Sequence, residues 1–195
     1  ARRAVARRRP PGWLVPGLTC LLSIASPGVG LARAQAPAPA LISPADPRLV
    51  ARTGNADSLG GAFGGDGRYV VFVSRASNLV PNDTNGRTDV FVRDRVDGSI
   101  RLISVNATGT AAAGESVAPV ITPDGRWVAF ESTAGDLVSG DTNQLSDIFL
   151  RDLTAGTTRL VSVATNGLPR ANGGSFAPAV SPDGRYVAFE SLATN

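Results

Sequence analysis

An internal repeat of 58 to 59 residues constrains this chain more than any other feature of its sequence. Asp66, Asp124 and Asp183 each begin an Asp-Gly-Arg run, and 58 and then 59 residues separate them. The spacing of 58 residues also relates three further acidic pairs: Asp83 and Asp141, Asp89 and Asp147, and Asp94 and Asp152. A repeat of this length is usually one supersecondary unit that buries its apolar faces against neighbouring copies. The sequence therefore predicts a stacked array of similar units.

Each copy contains the pattern of four short strands joined by turns. In the second copy the strands are ESVAPVITP, RWVAFES, DIFLRDL and TRLVSV. Pro123-Asp124-Gly125 forms a turn between the first two strands, because Pro fixes φ and Gly accepts a positive φ. The runs VDGS and TAGT form hairpin turns before the last strand in the first and second copies. Four antiparallel strands repeated head to tail predict an all-β fold made of β-propeller blades.

The strand pattern also predicts two kinds of side-chain contact. Tyr69, Trp127 and Tyr186 occupy one position in successive copies, and packing between blades explains this recurrence better than a ligand platform does. Glu131 lies near the end of a second strand and Arg151 lies in the third strand of the same copy. We therefore expect Glu131 and Arg151 to pair across neighbouring strands.

The second and third copies carry a recognisable set of residues. They are Ala118-Pro119, Pro123-Asp124-Gly125, Phe130, Asp147-Ile148-Phe149, Asp152-Leu153 and Gly156, and again Ala177-Pro178 and Pro182-Asp183-Gly184. In this set the repeat resembles the WD-like propeller repeat of the TolB-like superfamily, over roughly residues 48–195. In the first copy Gly60-Gly61 replaces Ala-Pro and Gly64-Gly65 replaces Ser-Pro, which predicts a degenerate terminal blade. The resemblance implies an exported bacterial propeller.

The repeat divides the chain into segments. Blade 1 is predicted at about 55–106, blade 2 at about 114–165 and a partial blade 3 at about 173–195. The run PRLVAR at 47–52 resembles a fourth strand without a blade before it, and such strands often close a propeller ring. We therefore expect the N-terminal fragment of a larger closed propeller, with an exposed apolar edge where the next blade belongs.

Residues 1–34 have the order of an export signal. Five arginines lie in the first nine residues, an apolar stretch follows, and Ala32-Arg33-Ala34 forms an Ala-x-Ala cleavage pattern. A Pro/Ala linker follows at 35–47. We expect cleavage near Ala34, a periplasmic or extracellular location, and no membrane span after cleavage.

The charge balance changes once the signal is set aside. Six of the 19 basic residues, all arginines, lie within residues 1–34, which contain no acidic residue. The remainder has 13 Arg against 16 acidic residues, a balance of −3. The basic character of the whole chain therefore belongs to the signal and does not indicate a nucleic-acid partner.

Several catalytic arrangements are excluded by residue type. The chain has no His, and its one Cys, Cys20, lies in the predicted signal. Neither an imidazole base nor a thiol nucleophile is therefore available in the mature residues. Paired carboxylates of the glycosidase kind remain a weaker alternative, because the acidic residues recur in every copy whereas an active site is normally single.

The long loop between the second and third strands is the most distinctive polar segment. Its residues Asp83, Asn85 and Asp89 recur at the same spacing, giving the candidate metal ligands Asp83, Asn85, Asp89, Asp141, Asn143 and Asp147. Oxygen side chains at positions 1, 3 and 7 of a short loop are typical ligands of Ca²⁺. Asp and Asn also close turns and cap strands with their own side chains, so a purely structural role stays open. No cofactor is required, and Ca²⁺ is the candidate.

Two functions are compatible with these observations. The first is an exported, non-catalytic propeller that binds a protein or cell-envelope partner, as the TolB-like resemblance implies. The second is the N-terminal propeller of a larger exported enzyme, such as a serine peptidase of the prolyl-oligopeptidase type. The sequence that follows the repeat array would distinguish them.

Overall fold

The computed structural model describes residues 54–165 and 171–195. The predicted signal (1–34), linker (35–47) and closing strand (47–52) lie outside the described residues. The described residues contain these strands: β1 Ser58–Phe63, β2 Tyr69–Ser74, β3 Asp89–Asp94, β4 Ile100–Leu102, β5 Ser116–Ile121, β6 Trp127–Ser132, β7 Asp147–Asp152, β8 Thr157–Leu160, β9 Ser175–Val180 and β10 Val187–Ser191. No helix in this part of the chain is long and apolar enough to cross a membrane.

The strands form three antiparallel sheets that follow the repeat. The first sheet has the order β1-β2-β3-β4, the second has β5-β6-β7-β8, and β9 pairs with β10. Each four-stranded sheet is a meander in which chain neighbours pair, as in a propeller blade. The predicted fold class, all-β with four-stranded antiparallel blades, is confirmed.

Every first strand contains the same irregularity. In the second sheet, Val117 pairs with Glu131 and Val120 pairs with Ala129, so two residues of β5 lie between successive pairs. Ala118 occupies this bulge with a φ of 49°, and Ala177 occupies the corresponding bulge in β9 with a φ of 52°. Such left-handed values favour glycine.

The first copy has the same bulge, and there the residue is a glycine. Gly60 has a φ of 56°, and the register of β1 shifts between Leu59 and Ala62 as it does in the other two sheets. The departure of the first copy from the Ala-Pro motif therefore leaves the bulge of its first strand intact. Gly60 departs from the motif in sequence but adopts the bulge backbone at a lower steric cost than alanine does.

The core lies between the sheets and under the long loops. Val71 and Val92 of the first sheet share one buried cluster with Val128, Phe130 and Phe149 of the second. The opposite face of the first sheet holds a second cluster, in which Phe72 stacks on Phe91 at 5.6 Å between ring centroids. Leu79 and Val80 of the 75–88 loop belong to this second cluster, so the loop is anchored to the sheet from which it projects.

An arginine joins the second and third strands in both four-stranded sheets. Arg68 Nη2 lies 2.7 Å from Asp94 Oδ2, and Arg126 Nη2 lies 2.8 Å from Asp152 Oδ2. Each arginine also donates from Nε to the same carboxylate. In each sheet the guanidinium therefore holds the last residue of the third strand beside the turn that precedes the second strand.

The predicted pairing of Glu131 with Arg151 is wrong. The register places Glu131 opposite Ile148 and Arg151 opposite Val128, three residues further along the hairpin. Glu131 Oε1 accepts a hydrogen bond from Ser146 Oγ at 2.7 Å, and Arg151 Nη1 donates to Thr158 Oγ1 at 2.8 Å. Glu131 thus bonds the loop that precedes β7, and Arg151 bonds β8, so the two side chains do not pair with each other.

Candidate metal-binding loops

The candidate ligands lie in the long loops that connect β2 to β3 and β6 to β7. The first loop, residues 75–88, contains Asp83 and Asn85 and ends at Asp89, the first residue of β3. The second, residues 133–146, carries Asp141 and Asn143 and ends at Asp147. The four aspartates are buried, so both loops bring carboxylates into the protein interior.

Asn85 is used as a link between blades. Its Nδ2 donates to Asp89 Oδ2 at 2.7 Å and to the carbonyl of Ala112, in the segment that leads to β5, at 2.7 Å. Its Oδ1 accepts from the backbone N–H of Arg87 at 2.8 Å. Because this oxygen closes the loop turn and both amide hydrogens point to other acceptors, Asn85 performs the structural role that the sequence left open.

Asn143 repeats these contacts one blade further on. Its Nδ2 donates to Asp147 Oδ2 at 2.7 Å and to the carbonyl of Ala171 at 3.2 Å. Its Oδ1 accepts from the backbone N–H of Leu145 at 2.9 Å. The asparagine of each loop therefore joins its own third strand to the segment that leads into the following blade.

Asp89 ties the beginning of the third strand to the segment that follows the fourth strand. Its Oδ1 accepts from Ser104 Oγ at 2.6 Å, and Ser104 Oγ accepts in turn from the N–H of Val90 at 3.1 Å. Asp147, Ser162 and Ile148 make the same set of bonds. Burial raises the pKa of Asp89 to about 7, against the opposing effect of the hydrogen bonds from Ser104 and Asn85.

The serine was not predicted from the sequence. A signal for it was present, because Ser104 follows Asp89 by 15 residues and Ser162 follows Asp147 by the same 15. A serine that recurs at a constant sequence separation from an acidic residue is a candidate hydrogen-bond partner of that residue, as well as a candidate catalytic residue.

Asp83 differs from the other members of its loop. Only 4% of it is exposed, and neither of its buried carboxylate oxygens accepts a hydrogen bond. Burial raises its pKa to about 6, opposed by the nearby backbone N–H of Asn85. Asp83 is therefore a carboxylate that is removed from water and that forms no ion pair among the described residues.

The acidic loops lie at the junctions between blades. Thr88 N donates to Glu115 Oε2 at 2.8 Å, and Ser116 N donates to the carbonyl of Thr88 at 2.8 Å. At the next junction Ser175 N donates to the carbonyl of Ser146 at 2.7 Å. The loops position their polar residues where two blades meet.

The recurring aromatic residues pack between blades, as predicted. The ring of Tyr69 lies against the turn at Gly125, and the ring of Trp127 lies against the turn at Gly184, where an added Cβ would overlap the ring in each case. Arg68 and Arg126 cover the neighbouring aromatic ring at 4.9 Å from its centroid. The packing interpretation of these aromatic positions is confirmed for Tyr69 and Trp127.

The available ligand atoms restrict the kind of metal. Within residues 54–165 and 171–195, no three His, Cys, Asp or Glu side chains converge as they would around a metal ion. Two buried carboxylates and the backbone carbonyls of each loop remain, and all of these donors are oxygens. Such donors suit hard cations and exclude a closed structural zinc site, which uses sulfur and nitrogen ligands.

Comparison with known proteins gives similarities among solved structures. The chain is similar to a TolB from Agrobacterium tumefaciens, with 18% identity and a TM-score of 0.44 over 70% of this chain and 40% of that one. It is similar to TolB from Acinetobacter baumannii, with 19% identity and a TM-score of 0.42 over 71% and 28% of the two chains. It is also similar to an acylaminoacyl peptidase from Pyrococcus horikoshii, with 18% identity and a TM-score of 0.41 over 69% and 17%.

The chain thus spans less than half the length of these three proteins. No model of a protein family matches it. No curated protein matches it either. The assignment to propeller blades rests on the sheet topology described above.

Proposed function

We propose that this chain is an exported, non-catalytic β-propeller scaffold that binds a protein or a component of the cell envelope. The observation that carries the proposal is the use of its buried polar side chains. Asp89, Asn85 and Ser104 bond strands and blades to one another, and the same bonds recur in the second blade. A polar cluster that both four-stranded sheets repeat supports architecture more readily than it supports a single active site.

The residue types of the chain support a non-catalytic role. Without His, and with its only Cys at position 20, the chain offers no conventional activator for a serine nucleophile. The buried serines are engaged in the fold: Ser116 Oγ lies 2.9 Å from Ser132 Oγ, and Ser132 Oγ donates to the carbonyl of Glu115.

Strand β1 offers a surface for a partner. Its large apolar residues Leu59 and Phe63 are both exposed, and among the described strands β1 pairs only with β2. An exposed strand with apolar side chains is a common docking element for an extended segment of another protein. We propose that the partner contacts Leu59 and Phe63.

The export part of the proposal is tested by fractionation. The chain expressed with residues 1–34 in a Gram-negative host should appear in the periplasm with an N-terminus at or near Gln35. A soluble cytoplasmic product that retains the basic segment would contradict export.

The binding part is tested by cross-linking of the purified protein to cell-envelope extracts of its source. Leu59→Asp combined with Phe63→Asp should remove the cross-linked species, whereas Val96→Asp, a change at an exposed residue of the β3–β4 turn, should leave it unchanged. Circular dichroism of each variant checks that the fold is intact. Capture unaffected by the double variant would reject β1 as the contact surface, and hydrolysis of peptide or ester substrates by the purified protein would reject the non-catalytic role.

A further inference from the structure

Asp83 is a buried carboxylate that forms no ion pair with any residue that the structure describes. The ion pairs among the described residues engage Asp94, Glu115 and Asp152, and none engages Asp83. Both of its oxygens are buried without a hydrogen-bond partner. An ionised carboxylate is stable in such a place only when a cation or several donors compensate for its lost hydration.

A second carboxylate of the same repeat is also buried. Asp89, six residues after Asp83 in the sequence, is fully buried. Asp89 accepts hydrogen bonds on both oxygens, yet these come from the neutral groups of Ser104 and Asn85. This part of the chain therefore buries two acidic side chains, while the guanidinium of Arg87 lies 3.9 Å from Glu115.

The second loop retains the buried acids while its neighbouring residues change. Asp141 is 5% exposed and Asp147 is fully buried, as their counterparts are. Arg87 of the first loop is replaced by Leu145 in the second, so a basic side chain is not a constant feature of the loop. What both copies keep is the pair of carboxylates and the asparagine that holds the loop in place.

We propose that each of the two loops binds one Ca²⁺ ion, with the carboxylate of Asp83 or Asp141 as its principal ligand. Asp89 and Asp147 add negative charge beside the ion, and Asn85 and Asn143 hold the loop. Backbone carbonyls and water complete the six to eight oxygens that Ca²⁺ requires. Mg²⁺ fits less well, because it demands a near-ideal octahedron that a loop with few side-chain oxygens does not supply.

The scarcity of side-chain ligands predicts weak binding. Extracellular Ca²⁺ modules have dissociation constants of about 10⁻⁴ to 10⁻³ M, and an exported protein meets Ca²⁺ in that range. Binding to the folded state alone stabilises it by mass action. At about 5 mM Ca²⁺ the melting temperature of the full chain should rise by about 5 °C relative to EDTA, and Mg²⁺ should produce a smaller rise.

The test compares Asp83→Asn, Asp141→Asn and the double variant with the unchanged chain. Each single change should remove part of the Ca²⁺-dependent rise, and the double change should remove all of it. In EDTA the double variant should melt at or above the temperature of the unchanged chain, because a neutral amide replaces a buried charge. Asp136→Asn serves as the control. Asp136 lies in the same loop as Asp141, and its carboxylate accepts hydrogen bonds from Ala113 N and Asn106 Nδ2. The Asp136→Asn variant should retain the full Ca²⁺ response.

A direct measurement keeps the proposal testable if a variant fails to fold. Calorimetric titration of the unchanged chain with Ca²⁺ should give close to two ions per chain, one for each described loop. Heats indistinguishable from buffer at millimolar Ca²⁺ would overturn the proposal. A double variant that melts below the unchanged chain in EDTA, together with no Ca²⁺ response in either protein, would identify Asp83 and Asp141 as turn-forming residues.

Discussion

Ala118 adopts a backbone conformation that suits glycine better than alanine. Its φ of 49° places its Cβ close to its own backbone, and Ala177 has the same unfavourable conformation at a φ of 52°. Gly60 occupies the equivalent bulge of the first sheet, where an added Cβ would meet nothing within 4 Å. An alanine at position 60 would therefore adopt the unfavourable backbone conformation without any clash of its side chain.

The first prediction exploits this pair. Gly60→Ala should lower the free energy of unfolding by about 1 kcal/mol, the usual cost of a left-handed alanine. Ala118→Gly should raise it by a smaller amount, because glycine also gains freedom in the unfolded chain. Urea denaturation of both variants measures the two changes. Equal stability of Gly60→Ala and the unchanged chain would show that the bulge relaxes without strain.

The carboxylate of Asp152 links stability to pH. Hydrogen bonds from Arg126, supported by the backbone N–H groups of Ala155 and Thr154, lower its pKa from 3.8 to about 2. A carboxylate whose pKa is lower in the folded state stabilises that state above its unfolded pKa. This stabilisation is lost as the pH falls from about 4 through about 2.

The second prediction follows from that sign. The stability difference between the unchanged chain and Asp152→Asn should be largest near pH 5 and should shrink toward pH 2, because the native carboxyl is then protonated as well. Urea denaturation at pH 2 to 6 measures it. Asp94→Asn should behave in the same way, since Arg68 lowers the pKa of Asp94 to about 2. A difference independent of pH would mean that the ion pairs do not control acid unfolding.

Among the strands and turns, the contact of an aromatic ring with the turn of the next blade leaves no space for an added side chain. The ring of Tyr69 leaves no space for a side chain at Gly125, which also has a φ of 72°. Gly125→Ala therefore combines an unfavourable φ with overpacking between two blades, and overpacking alone typically costs about 1 to 3 kcal/mol. The junction between the blades should open or shift in response.

The third prediction uses Gly60→Ala as its matched control. Gly125→Ala should lower the free energy of unfolding by about 3 kcal/mol, whereas the control should lower it by about 1 kcal/mol. The additional loss of unfolding free energy in Gly125→Ala comes from the clash of the new Cβ with the ring of Tyr69. Truncation of that ring, in the double variant Tyr69→Ala with Gly125→Ala, should reduce the excess cost of the alanine. A double variant whose losses simply add would place the cost of Gly125→Ala elsewhere.

The strands and turns could be predicted from the sequence because their signals are local. Pro123-Asp124-Gly125 sets a turn from adjacent residues, and the apolar pattern of RWVAFES specifies a strand within seven residues. The 58-residue repeat then supplied the long-range order. The position of each sheet required no knowledge of side-chain contacts.

The contacts within the loops could be predicted only in part. Residue type placed Asn85 among the possible ligands, but it does not say which amide atom faces which neighbour, and the bond to Ala112 spans 27 residues. The expected pair of Glu131 with Arg151 failed because a strand pattern does not fix the register of a hairpin, and the register here separates them. The buried, unpartnered state of Asp83 depends on the packing of the loop and has no signal in the sequence.

The third sheet presents a different surface from the other two. Tyr186 occupies the aromatic position that Tyr69 and Trp127 fill at blade junctions, but 66% of it is exposed. Leu192, just beyond β10, is 75% exposed. Among the described residues β10 pairs only with β9, so one edge of this strand leaves its backbone groups free to bond another strand.

The last prediction is that the chain associates through this edge. A strand with one unpaired edge beside two exposed apolar side chains favours pairing with a second copy and binding of hydrophobic dyes. Light scattering coupled to size exclusion should show a mass that rises with concentration, and the dye ANS should fluoresce with the unchanged chain. Tyr186→Lys combined with Leu192→Lys should reduce both effects, because like charges oppose pairing at the edge. Val96→Lys, which changes an exposed apolar residue of the β3–β4 turn, should reduce neither. A monomer that ignores the dye at every concentration would show that the edge of β10 is already protected.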